Sequence, residues 1–251
     1  MLHTNIITNM NSVNVLPLQI KNLHITKNGN ALINDITLSV ESNEATVILG
    51  PNGAGKSLLL RTAHGLETPN KGTLDWNSHI PKPQHSWRAY IFQKPVLLRR
   101  SVRANLEYVL SLHNISKSEH GALIESALEH TGLNQLADRN ARVLSGGEQQ
   151  RLNIARAWVL QPKVILLDEP TAELDPNGTA AIEQLIKTIA QQGTKIIMST
   201  HDLGQAHRLA NDIVFLHQGK LVEHTPANSF FEQPQTKIAQ HFIAGELLNG
   251  D

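Results

Sequence analysis

The sequence predicts an α/β fold in which strands and helices alternate around a largely parallel sheet, with a helical section inserted part-way. Three observations carry this. A short, mostly apolar run, Ala45–Leu49, leads through a glycine-rich turn into a helical pattern at Lys56–His64. Buried parallel strands read as such runs, and a helix after one begins a crossover. The same alternation returns from Val164–Leu167 to Ile213–Leu216, while residues from about 94 to 145 show helical spacing and few strand signals.

Taken in order, residues 1–14 are polar and rich in asparagine. They lack a basic start followed by an apolar stretch, so they read as a flexible leader and not as a secretory signal. Val15–Ile25 and Asp35–Glu41 read as strands about the turn Lys27-Asn28-Gly29-Asn30. Gly72–Trp76 and Ala89–Phe92 are further strands. After Pro95, Val102, Leu106, Val109 and Leu110 recur at helical spacing, as do Leu123, Ile124, Ala127 and Leu128. Then come strand Val164–Leu167, helix Thr179–Gln191, strand Lys195–Ser199, helix Leu203–Leu209 and strand Ile213–Leu216. Gln235–Leu248 sets Ile238, Phe242, Ile243 and Leu247 near one helical face. The expected organisation is a leader (1–14), one α/β domain (15–234) with a helical subdomain inserted at about 94–145, and a C-terminal helix (235–251).

Composition bounds the function. The 251 residues are 40% hydrophobic and 18% charged, a globular balance that excludes a mostly disordered chain. Lys+Arg and Asp+Glu both number 22, so bulk charge attracts neither nucleic acid nor acidic lipid, and no nucleic-acid partner is expected. The absence of cysteine excludes disulfides, thiolate metal sites and a cysteine nucleophile. The longest apolar runs fall far short of the roughly 20 residues a membrane-spanning helix needs.

Gly50-Pro51-Asn52-Gly53-Ala54-Gly55-Lys56-Ser57 has the phosphate-loop pattern in the required context, after an apolar strand and at the start of a helix. Its glycines let backbone N–H groups converge on phosphate oxygens, and the helix N-terminus adds partial positive charge. Lys56 can reach the terminal phosphates, and the Ser57 hydroxyl can ligate Mg²⁺. Downstream, Val164-Ile165-Leu166-Leu167-Asp168-Glu169 puts Asp168 at the C-terminal end of a strand, the edge where ligands bind in such sheets. Asp168 would hold Mg²⁺, and Glu169 would polarise an attacking water. Leu144-Ser145-Gly146-Gly147-Glu148 supports two readings together: an anion-binding turn and a helix cap with Glu three residues after Ser.

With these motifs in that order, the sequence resembles the nucleotide-binding subunits of ATP-binding cassette (ABC) transporters over about Val15–Glu223. The resemblance implies a P-loop NTPase core of the ABC ATPase type, with an antiparallel β subdomain and an inserted helical subdomain. It implies ATP and Mg²⁺ as cofactors and an ATP sandwich in a homodimer or a paired ATPase. Ser145 and Gly147, with Gly146 between them, would face the γ-phosphate held at the other subunit's Lys56. Gln93 matches the Q-loop glutamine, which senses Mg²⁺ and γ-phosphate, so the implied metal set is Ser57, Gln93 and Asp168. Ala172-Glu173-Leu174-Asp175 resembles the D-loop, with Asp175 also able to cap a helix at Pro176. His201 matches the switch histidine, and the implied catalytic set is Glu169, His201 and Gln93. One stretch departs from the pattern: His24-Ile25-Thr26-Lys27-Asn28-Gly29 has no aromatic residue to stack on adenine.

The family further implies a separate integral membrane permease, served indirectly by a substrate-binding protein, and a peripheral place on the cytoplasmic face of the membrane. Gln93–Arg103 is the stretch expected to meet the permease, with Leu97 and Leu98 giving apolar contact and Arg99 and Arg100 charge. Phe92–Val102 is most similar to ATPases of tungstate-type oxyanion importers. ATPases for another solute, exporters and soluble ABC ATPases such as those of iron–sulfur assembly remain open at this stage.

Overall fold

The computed structural model describes residues 14–77 and 87–246. The leader therefore lies, but for Asn14, outside the described residues, as do residues 247–251 of the expected C-terminal helix. The described elements in chain order are strands β1 (Leu18–Lys27), β2 (Asn30–Val40) and β3 (Thr46–Leu49), helix α1 (Lys56–His64), and strands β4 (Lys71–Asp75) and β5 (Arg88–Ile91). Helices α2 (Val102–Leu112), α3 (Lys117–Thr131) and α4 (Gly146–Trp158) follow, then β6 (Val164–Asp168), α5 (Pro176–Gln191), β7 (Lys195–Thr200) and α6 (Leu203–Leu209). Strands β8 (Asp212–His217) and β9 (Lys220–Pro226) and helices α7 (Ala227–Glu232) and α8 (Lys237–Ile243) close the described chain. Among these residues the chain forms two compact units: residues 87–165 with 170–194, and residues 15–77 with 166–169 and 195–246. The first is called the helical unit, the second the sheet unit.

The smaller sheet has strand order β2-β1-β4 and is antiparallel, because the Asn28-Gly29 turn folds β2 straight back on β1. Both turn residues have positive φ (51° and 79°), as a tight hairpin requires. Strand β2 starts at Asn30, five residues before the expected Asp35. The alternation that marks a strand is broken there by register shifts, and Asp35 itself has φ 58°. The larger sheet has order β5-β6-β7-β3-β8-β9. Strand β3 lies parallel to both β7 and β8, with all four of its residues buried, which is why it reads as an unbroken apolar run.

In the helical unit, Val102, Leu106 and Leu110 of α2 pack with Ile124 and Leu128 of α3 and Leu152 of α4 in one apolar cluster. These α2 and α3 positions are the ones whose spacing announces the helices. Ser101 starts α2 by accepting a hydrogen bond from the Ala104 N–H. Helix α5 begins three residues before the expected Thr179, because Asp175 accepts from the Gly178 N–H at 2.6 Å and Pro176 suits the first helical position. Helix α8 stops at Ile243, short of the expected Leu248, with Gly245 at φ 72° two residues on. Strand β9 and helix α7 carry no clear periodic signal and are additions to the sequence reading.

Candidate active site

In the sheet unit the turn after β3 is shaped by glycines. A Cβ on Gly50 would stand 2.2 Å from the Leu216 carbonyl oxygen; one on Gly55, at φ 99°, would stand 2.7 Å from Ile33 Cδ1. No larger residue fits either place without displacing backbone or core. Gly55 is also the cap position of α1. It offers no side-chain cap, and no acidic residue follows in the first turn. The first N–H groups of α1 therefore keep their donors and partial positive charge for an anion.

Lys56 is almost fully buried, yet its ammonium is satisfied. Nζ donates to the carbonyls of Gly50 (2.9 Å) and Pro51 (3.1 Å) and pairs with Glu169 Oε1 at 3.2 Å. The other Glu169 oxygen, Oε2, accepts from His201 Nδ1 at 3.0 Å. Glu169 has φ 43°, a left-handed conformation uncommon outside glycine, and its N–H donates to the Ser199 carbonyl and hydroxyl oxygens (3.2 and 3.1 Å). Such outliers collect where surrounding structure holds a functional side chain in place.

Beside this cluster, Asp168 Oδ1 accepts from the hydroxyls of Ser57 (2.7 Å) and Ser199 (2.8 Å). A carboxylate and a hydroxyl this close form an all-oxygen donor set suited to Mg²⁺, which takes few protein ligands and keeps water or phosphate for the rest. The structure thus brings Lys56, Ser57, Asp168, Glu169 and His201 together within one unit. It adds Ser199, which the sequence reading quotes only as part of a segment. Its signal was available in its place on β7, the strand leading to His201.

The remaining expected residues lie in the helical unit. Ser145 caps α4 with a complete capping box: its hydroxyl accepts from the Glu148 N–H (3.4 Å), while Glu148 Oε2 accepts from the Ser145 N–H (2.7 Å) and hydroxyl (2.8 Å). These bonds hold the Glu148 carboxyl below the ordinary glutamate pKa. Ser145, Gly146 and Gly147 line, with Leu174 and Asp175, a cavity of about 540 Å³. Gln93 is exposed, just past β5, and the next residue, Lys94, pairs with Glu173 at 3.2 Å. Leu97 and Leu98 are half-buried, Arg99 and Arg100 exposed. No helix among the described residues is long and apolar enough to cross a membrane.

Comparison with known proteins identifies the family. The sequence pattern of the ABC transporter family matches residues 33–172, a span that ends before Asp175 of the D-loop-like stretch and before His201. The chain is 35% identical over 237 residues to the phosphate import ATP-binding protein PstB 2 of Natronomonas pharaonis, covering 88% of this chain and 84% of that one. It is 35% identical to the tungstate uptake system ATP-binding protein TupC of Peptoclostridium acidaminophilum, covering 86% of this chain and all of the relative. The arginine transport ATP-binding protein ArtP of Haemophilus influenzae is again 35% identical, over 91% of this chain and all of its own. Among solved structures, cbiO1 of Clostridium perfringens, part of the ABC transporter complex cbiONQ, superposes with a TM-score of 0.80 at 27% identity, covering 88% of this chain and 92% of that one. A phosphate loop whose lysine meets the acid after β6, on a fold shared with these proteins, leads to one conclusion: the chain belongs to the ABC transporter family, as an ATP-binding, ATP-hydrolysing subunit.

Proposed function

We propose that this subunit powers import of an oxyanion through a separate membrane permease, working as a dimer on its cytoplasmic face. The observation that carries the chemistry is the Lys56–Glu169–His201 cluster beside the Ser57–Asp168 pair. ATP phosphates would lie on the phosphate-loop N–H groups and Lys56, and Ser57 and Asp168 would hold Mg²⁺; Gln93 is the further Mg²⁺ ligand that the family resemblance implies. Bound Mg²⁺ neutralises phosphate charge. Glu169 takes a proton from the water that attacks the γ-phosphorus as ADP leaves. With Nδ1 donating to Glu169, a neutral His201 leaves Nε2 to accept from that water and steady it. Ser145 and Gly147 meet the γ-phosphate from the opposite subunit, and Asp175 lies along that seam.

Removing the base while keeping its shape tests this. Glu169→Gln lowers ATP turnover by about 10²–10⁴-fold yet retains nucleotide, so the variant elutes as a dimer in Mg-ATP. Elution as a monomer with nucleotide bound counts against the dimer. For the docking surface, changing Leu97 and Leu98 together to Ala leaves ATP binding within about twofold of the unchanged chain and abolishes uptake. Unchanged uptake moves the permease elsewhere.

The cargo class rests on two relatives named for tetrahedral oxyanions, phosphate and tungstate, and on the resemblance of Phe92–Val102 noted in the sequence. A second reading, amino-acid import, is favoured by the equal identity to ArtP. Uptake of labelled phosphate, tungstate, molybdate and arginine by cells with and without the gene separates the two.

A further inference from the structure

Helix α4 does more than present the capped turn at its start. Asn153 and Arg156 stand three residues apart and so share one face. Asn153 Nδ2 donates to the Phe92 carbonyl at 3.3 Å, and Arg156 Nη1 donates to the Val96 carbonyl. These two carbonyls bracket Gln93-Lys94-Pro95. The first belongs to the peptide that includes the Gln93 N–H, so its orientation sets the plane from which Gln93 departs. Further along, Asn105 of α2 is fully buried and fixes the rest of the stretch. It accepts from the Leu98 N–H (3.0 Å) and donates to the carbonyls of Leu98 (3.2 Å) and Ser101 (2.9 Å).

Arg156 is held there at a cost. Burial lowers its pKa, no carboxylate pairs with it among the described residues, and its Nε is buried without a partner. A guanidinium kept half-buried against a single carbonyl needs a reason beyond solubility. Val96, whose carbonyl it holds, is itself 73% exposed, so no packing of its own keeps this part of the loop in place.

We propose that Asn153 and Arg156 are positioning residues that make the Gln93 loop a rigid extension of α4. The capped turn at Ser145 then lies about 12 Å along the same helix from Asn153, at 1.5 Å per residue. A displacement of α4 carries the backbone of Phe92 and Val96 with it, so Gln93 and the Ser145 turn move as one piece. The catalytic half of this rests on the role proposed above for Gln93; the tether does not.

The test uses the whole chain and two readouts. The first is steady-state ATP hydrolysis with Mg-ATP for Arg156→Met, Arg156→Lys, Asn153→Asp and Gln93→Ala. The second is trypsin cleavage after Arg99 and Arg100 under native conditions. Arg156→Met and Asn153→Asp are expected to lower kcat about fivefold with KM for ATP within about twofold, and to speed loop cleavage about tenfold for Arg156→Met. Arg156→Lys, which can still donate to one carbonyl, restores both to within about twofold. A purely structural role moves thermal stability, kcat and KM together and gains nothing from lysine; that pattern overturns the proposal. Unchanged kcat and cleavage in the Asn153 and Arg156 variants, with Gln93→Ala impaired, overturns the tether alone. Gln93→Ala with full kcat overturns the role of Gln93 and the catalytic half, while faster loop cleavage in Arg156→Met still supports the tether.

Discussion

The two helix starts in this protein that the family assigns to phosphate are built in opposite ways. Helix α1 begins at a left-handed glycine with no side-chain cap and no acid in its first turn. Helix α4 begins at a serine whose capping box is closed from both sides by Glu148. The first leaves donors unspent for a ligand. The second satisfies itself, so a phosphate arriving there must take the Ser145 hydroxyl from Glu148 and approach a carboxylate. One start leaves its donors open within a single chain; the other is a self-satisfied helix end, which the dimer proposed above would bring to a phosphate. The lesson is that a glycine-rich turn before a helix does not by itself tell which of the two is present; the cap does.

The largest expected effect is on the open start. Lys56→Ala removes the cation that the loop carbonyls and Glu169 hold in place, and ATP affinity falls by at least a hundredfold, read by nucleotide titration; a loss under tenfold means the N–H groups alone suffice. The closed start gives a smaller effect. Glu148→Ala opens the capping box and lowers unfolding stability at pH 7 by about 1 kcal/mol, checked by denaturant unfolding. The sign with pH follows from the direction of the shift: a carboxyl depressed in the folded state stabilises above its unfolded pKa and stops doing so as pH falls through the folded one. The difference between the two proteins should therefore shrink below the ordinary glutamate pKa of 4.5. The smallest effect concerns the base. With no aromatic residue in His24–Gly29, ATP and GTP are expected to be hydrolysed with kcat/KM within about tenfold, or 1.4 kcal/mol.

How much of this could be read beforehand differs by residue. The phosphate loop and α1 were legible because their chemistry is written in consecutive residues, and Asp168-Glu169 because four apolar residues deliver them to a strand end. The contact of Lys56 with Glu169 was not, since it joins residues over a hundred positions apart. Asn105, Asn153 and Arg156 look like ordinary polar helix positions; only packing shows that they hold a loop. Strand β9 hid because its buried residues include Glu223, which accepts from the N–H groups of Gln235 and Thr236 and so looks solvated in the sequence. Lys195 misleads likewise. It is a fully buried lysine whose Nζ donates to the Ser42 and Glu44 carbonyls and the Thr46 hydroxyl, and burial pulls its pKa down to about 8.

Strand β3 carries the phosphate loop, yet its two neighbours, β7 and β8, come from residues 195–200 and 212–217. During synthesis the loop's own strand therefore leaves the ribosome long before either partner exists. For most of translation the nascent chain holds an apolar strand with both edges unpaired, the kind of segment that chaperones shield. A message truncated between the codons for Ser57 and Lys195 yields every residue of the phosphate loop and neither of the two strands that flank β3.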